Sequence, residues 1–160
     1  MIQHAADAAA VQGLERRALS APAAMCEAYH YDRPVTFSRG MEVRLPGARL
    51  VFVSGTASVG PDGRTLFPGD FRAQARRAFE NAAAVLASAG ASWREVVKAT
   101  IFIRDIARDY AAFNAVRAEF FRDAGLAAFP ASTCVEARLC REDLLVEMEL
   151  LAVVPEDARR

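Results

Sequence analysis

At 160 residues and 53% hydrophobic content, the chain is long enough for one domain with a full core. Twenty basic and twenty acidic residues cancel. That balance argues against a nucleic-acid partner, and no apolar run approaches the ~20 residues of a membrane-spanning helix.

Residues up to about Ala28 are rich in alanine and predict a weak amphipathic helix. Asp7, Glu15, Arg16 and Arg17 interrupt this stretch, so it lacks the basic start and continuous apolar run of a signal peptide. Val35 to Arg44 alternates and predicts a strand, with a glycine bulge at Gly40. Pro46-Gly47 marks a hairpin turn, and Arg49 to Ser54 is a nearly continuous apolar run that predicts a central strand. Asp70 is placed to cap a helix over Phe71–Ala89, where Phe71, Ala75, Ala78, Phe79, Ala82, Val85, Leu86 and Ala89 recur with helical period. Val96–Ile103 predicts a strand. A second helix is expected from about Asp109 to Asp123, with Tyr110, Phe113, Val116, Phe120 and Phe121 on its apolar face. Two closing strands are expected over Ala131–Arg138 and Leu144–Val154 as an antiparallel pair.

The predicted order is ββαβαββ, an α+β fold with one mixed sheet and two helices on one face. The other face holds polar and apolar residues together and is expected to meet another subunit. The three cysteines, Cys26, Cys134 and Cys140, show no metal spacing, and His4 and His30 are the only histidines. The expectation is a reduced, cytoplasmic protein with no metal and no cofactor.

The closing strand carries the chemistry. Strand side chains alternate, so Leu145, Glu147, Glu149 and Leu151 share one side, and Leu144, Val146, Met148 and Leu150 share the other. Two acids flanked by leucines predict a partly buried, polar-lined cleft or, equally, a solvated outer face. In a cleft, a carboxyl group gains a raised pKa and can carry protons near neutral pH.

The landmarks Leu50-Val-Phe-Val-Ser-Gly55, Gly69-Asp70 before a helix, Glu80-Asn81, Val97 to Ile103 with Asp105, and Pro130-Ala131 leading to Cys134-Val135-Glu136 resemble the RidA/YjgF superfamily over about Thr36–Val154. That resemblance implies a chorismate-mutase-like fold and a homotrimer. It also implies clefts between subunits that bind a small carboxylate-bearing metabolite, and metal-free hydrolysis of enamines or imines. It divides the chain into an alanine-rich extension (1–30), a RidA-like domain (31–155) and a tail (156–160). Deaminating members place an arginine where this chain has Ser132, to hold the substrate carboxylate, and a tyrosine where it has Phe37. A serine supplies no planar cationic fork, so turnover of 2-aminoacrylate is expected to be weak or absent unless Arg39, Arg138 or Arg141 substitutes from elsewhere.

Phe37-Ser-Arg-Gly40, Ser54 to Ser58 and Leu139 to Glu147 also resemble the chorismatases, which are about twice as long. In those enzymes a glutamate at the place of Glu147 donates a proton, and some carry a cysteine at the place of Cys140. Glu147 is therefore the expected general acid for hydrolysis or tautomerisation of an enamine, imine or enol-ether metabolite, with Cys140 beside it. Gly55, Thr56 and Ala57 are expected to contact substrate oxygens. Phe37, Arg39, Ser132, Cys134, Glu136, Arg138 and Arg141 complete the expected binding set. A chorismatase-like hydrolase and a non-catalytic ligand-binding or chaperone-like homologue are the alternatives. His30, with Tyr29 and Tyr31, is read as a cluster lying over a neighbour's cleft or on the surface.

Overall fold

Residues 14–156 are described by a computed structural model. The Asp70 carboxylate accepts from the Ala73 amide at 3.0 Å and starts helix α1, Phe71–Ser88. All eight apolar positions expected along that helix are buried. Burying a phenylalanine or leucine of this kind contributes ~1.5–3 kcal/mol, so the apolar stripe dictates how α1 sits. Helix α2, Ile106–Asp123, begins earlier than its periodicity predicts, because Asp105 caps it by accepting from the Arg108 amide. Tyr110 faces outward, and the buried position beside it belongs to Asp109, which the Arg108 guanidinium holds at 2.6 Å. Phe79 joins the two helices, stacking on Phe113 and Phe120 and meeting Trp93 at 5.2 Å.

Six strands form one sheet: β1 Arg16–Leu19, β2 Gly40–Leu45, β3 Ala48–Ala57, β4 Val96–Ile103, β5 Ala131–Glu136 and β6 Val146–Pro155, in spatial order β1-β2-β3-β6-β4-β5. The two helices cover one face and pack on each other. Val146, Met148, Leu150, Ala152 and Val154 of β6 point into that layer and are buried. The expected alternation of this strand is what the structure shows.

Several local expectations differ. The stretch Arg16–Leu19 is a strand paired antiparallel with β2, and the expected helix is absent from residues 14–28; residues 1–13 lie outside the described part. Strand β2 starts at Gly40, so Val35 to Arg39 is free to leave the sheet. The closing strands are not a hairpin: β5 pairs in parallel with β4, and β6 lies between β3 and β4, antiparallel to both. The bulge falls at Ser54-Gly55, where two residues of β3 between the Val53–Leu150 and Thr56–Met148 pairs face the single Glu149 of β6. Gly40 is instead a close approach in regular pairing, where a Cβ would lie 2.7 Å from the Phe52 carbonyl oxygen.

Candidate functional site

Glu147 stands on the face of the sheet away from the helices, opposite Ala57 on β3 and Phe102 on β4. The bulge at Gly55 makes its place: a Cβ on Gly55 would lie 2.1 Å from Glu147 Oε1. The carboxylate fills the space a side chain would take. Burial raises its pKa above the usual carboxylate range and the neighbouring Glu149 charge adds to that, while the Arg39 charge opposes it. Glu149, two residues along the same face, is exposed.

Glu147 opens into a cavity of about 930 Å³ walled by Phe37, Arg39, Gly55, Ala57, Cys140 and Arg141, among others. Arg39 is almost wholly buried; its guanidinium donates to the Cys26 carbonyl and to the Tyr31 hydroxyl and lies 5.3 Å from the centres of the Tyr31 and Phe37 rings. Arg141 donates to the Gly63 carbonyl at 2.7 Å and sits 4.7 Å over the other side of the cluster, at the Tyr31 ring. Tyr31, expected over a neighbour's cleft or on the surface, thus lines its own chain's cavity between two arginines. His30 is exposed and meets Tyr29 edge-on at 4.5 Å.

The walls are held from beneath by two polar residues of α1. Asn81 Nδ2 donates to the carbonyls of Ala57 and Val59, both at 2.9 Å. Gln74 donates to the Asp143 carbonyl at 2.8 Å and accepts from the Leu145 amide at 2.9 Å. Arg104 adds a bond to the Leu144 carbonyl at 2.6 Å. These fasten the loop carrying Cys140 and Arg141 against the strand carrying Glu147. Gln74 went unread in the sequence, although a polar residue amid core positions, seven before Asn81, is a detectable signal.

The remaining expected residues lie elsewhere. Thr56 is buried on the helix face, and its hydroxyl donates to the Ser54 carbonyl at 2.7 Å, closing the bulge. Glu136 Oε2 accepts from the Ile106 amide at 3.0 Å, at the start of α2. Arg138 is exposed and does not line the cavity. Ser132 and Cys134 pair in register with Ala99 and Ile101 of β4, and so belong to the helix face. Burial pushes the Cys134 thiol pKa up, with the Arg117 charge opposing it. Ser132 borders a second hollow, of about 300 Å³, between α2 and β5. Within one chain, then, Glu147 and Ser132 are on opposite faces of the same sheet.

Residues 33–154 match the family model for endoribonuclease L-PSP. The chain belongs to this family, the RidA/YjgF family. Among similar RidA-family proteins is the 2-iminobutanoate/2-iminopropanoate deaminase of Escherichia coli K12, 36% identical over 104 residues that cover 65% of this chain and 79% of that one. A RutC family protein of Synechocystis is 37% identical over 107 residues, covering 66% and 79%. Escherichia coli TdcF with bound serine superposes with a TM-score of 0.70 at 29% identity, covering 88% of this chain and 99% of that one. Escherichia coli YjgF superposes with a TM-score of 0.69, also at 29% identity. Among the described residues no helix is long and apolar enough to cross a membrane, and no cluster of His, Cys, Asp and Glu could hold a metal ion.

Proposed function

We propose that this RidA-family chain hydrolyses a 2-imino or 2-enamino acid to the 2-oxo acid and ammonia, with Glu147 as the proton donor. The seat of Glu147 carries the proposal: its carboxyl group occupies the space left by Gly55 at the wall of the cavity, where burial favours the neutral, proton-donating form. The likeness to an iminobutanoate deaminase and to a serine-bound neighbour supports the substrate class.

The chemistry balances with this one carboxyl group and water. Neutral Glu147 gives its proton to the β-carbon of the enamine, and the nitrogen lone pair becomes the second bond of an iminium at C2. Water then adds to C2 as the Glu147 carboxylate takes one of its protons. The resulting amino alcohol expels ammonia, and the C2 hydroxyl oxygen becomes the carbonyl of the 2-oxo acid. Glu147 returns the proton it took to the departing nitrogen and receives one from the C2 hydroxyl as the carbonyl forms, ending neutral as it began. For an imine Glu147 gives its proton to the nitrogen in place of the β-carbon, and the water addition is the same. A pocket walled by protein and carrying a protonated acid favours both proton steps over bulk water.

The reaction is placed in clefts between the subunits of a homotrimer. Phe52 leaves apolar surface on the uncovered side of the sheet, which a closed oligomer would cover. Ser132 faces away from Glu147, so a site holding both draws on two chains. The test generates imines in place with an L-amino-acid oxidase and follows their capture by semicarbazide. Addition of the protein is expected to suppress the semicarbazone and speed ammonia release, and Glu147→Gln to abolish both effects. Semicarbazone formation that the protein leaves untouched across a set of amino acids rejects the activity.

A further inference from the structure

The hollow between α2 and β5 is built unlike the cavity at Glu147. Its floor and sides are aromatic and aliphatic: Phe79, Trp93, Ile101, Phe121 and Phe129. Phe129 is 73% exposed yet stacks on Phe121 at 5.8 Å, extending the apolar wall outward. One corner is polar. There Arg117 donates to the Asn114 side-chain oxygen at 2.6 Å and to the Ser132 hydroxyl at 3.3 Å, and its guanidinium lies 5.4 Å from the Phe113 ring centre. Among the described residues no carboxylate pairs with Arg117, whereas Arg72, Arg76, Arg77 and Arg108 on the same two helices all do. A half-buried guanidinium held by neutral partners beside an apolar hollow keeps its charge for an incoming anion. At about 300 Å³ the hollow exceeds the ~150 Å³ apolar cavity that accommodates benzene.

We propose that Arg117, reaching across from α2 to Ser132, is the carboxylate anchor of this chain, and that the aromatic hollow beside it selects 2-oxo and 2-imino acids with a large apolar side chain. This deepens the proposed function and rests on it for the reacting group. The binding claim stands on Arg117, Ser132 and the aromatic wall alone. The guanidinium takes the carboxylate, Asn114 and Ser132 fix its plane, and the side chain lies against Phe121 and Phe129. In an assembled cleft the partner copy brings Glu147 to the other side of C2.

Titration calorimetry on the full chain with phenylpyruvate and with pyruvate tests this. Phenylpyruvate is expected to bind at least about ten-fold more tightly than pyruvate. Arg117→Gln is expected to weaken phenylpyruvate at least about ten-fold while leaving the helix content and oligomer size unchanged, and adding Ser132→Arg to Arg117→Gln to restore most of the affinity. The restoration separates an anion contact from a merely structural role of Arg117, since an arginine arriving from β5 cannot repair α2. Equal affinity for the two acids overturns the side-chain selection. Unchanged affinity in Arg117→Gln, or a folded double variant without recovery, overturns the anchor. A wild-type protein that binds phenylpyruvate through Arg117 but hydrolyses no imine keeps the anchor and loses the activity; imine hydrolysis unaffected by Arg117→Gln does the reverse.

Discussion

The two hollows of this molecule solve different problems on opposite faces of one sheet. The cavity at Glu147 mixes polar and apolar walls, drawn from loops and from β3 and β6, and is braced by side chains that donate to backbone carbonyls: Asn81, Gln74, Arg39, Arg141 and Arg104. The hollow at Arg117 is walled by aromatic core residues and has a single polar corner. The first sets the protonation state of an acid, which needs fixed dipoles and restricted water. The second offers shape and one cation, which suits recognition. Within one chain the sheet keeps the two apart, so the proposed reaction uses both only if two chains meet.

Glu147 separates the two roles most sharply. Glu147→Gln keeps the shape and hydrogen-bonding capacity of the side chain but removes the proton. Imine turnover is expected to fall by roughly 100-fold or more, about 2.7 kcal/mol in barrier height, with binding of phenylpyruvate within about two-fold of wild type. Retention of turnover would move the proton donor away from β6.

Two glycines extend the comparison from chemistry to packing. At Gly40 a Cβ would lie 2.7 Å from the Phe52 carbonyl oxygen and 3.0 Å from Val85. Backbone cannot yield as a side chain can, so Gly40→Ala is expected to cost about 1–3 kcal/mol in chemical denaturation with little change in the turnover of folded protein. At Gly55 the obstructing atom is the free end of Glu147. Gly55→Ala is expected to swing that carboxylate aside, lowering turnover by roughly ten-fold, about 1.4 kcal/mol, while the melting temperature moves by only a few degrees. A loss of stability at Gly55 as large as that at Gly40 would show the bulge itself to need glycine, independent of Glu147.

Those two positions also show where the sequence was legible. A glycine within a strand means a bulge or a close approach, and the sequence assigned the bulge to Gly40. Choosing between the meanings requires knowing what lies across the sheet, here Phe52 for one and Glu147 for the other. Periodicity carried the rest of the core: the stripe of α1 and the alternation of β6 are local patterns enforced by burial, and both are in the structure. Strand pairing is not local. The run Ala131–Glu136 reads as a strand on its own residues, but nothing in it says that its neighbour is β4 in parallel and not β6. Arg16–Leu19 has helix-forming residues and became a strand because β2 offers it an edge, a tertiary effect that propensity does not contain. The site was half legible for the same reason. Phe37, Arg39, Gly55, Ala57, Glu147, Cys140 and Arg141 share one cavity, whereas Thr56, Ser132, Cys134, Glu136 and Arg138, which family resemblance and strand alternation had grouped with them, stand apart from it within the chain.

The smallest expected effect concerns stability against pH, and it contrasts Glu147 with Glu42. Burial acts against the Glu42 carboxylate too, but hydrogen bonds from Arg17 and Arg49, with their charges, outweigh it and hold its pKa below the usual range. Its contribution is present above the unfolded-state pKa and is lost as pH falls through the folded value. Glu147 is raised, so the native state keeps a proton that the unfolded chain has released. The wild type therefore loses stability from this group as pH rises from the ordinary carboxylate value through the raised one. Glu147→Gln does not titrate and escapes that loss. Relative to wild type, its melting temperature is expected to rise as pH climbs from the ordinary carboxylate value through the raised one, whereas that of Glu42→Gln is expected to fall as pH climbs from the lowered value to the ordinary one and to level off above it. Parallel curves for the two variants would mean that the two carboxylates share one kind of environment, and Glu147 would then lose its claim to be the acid of the pair.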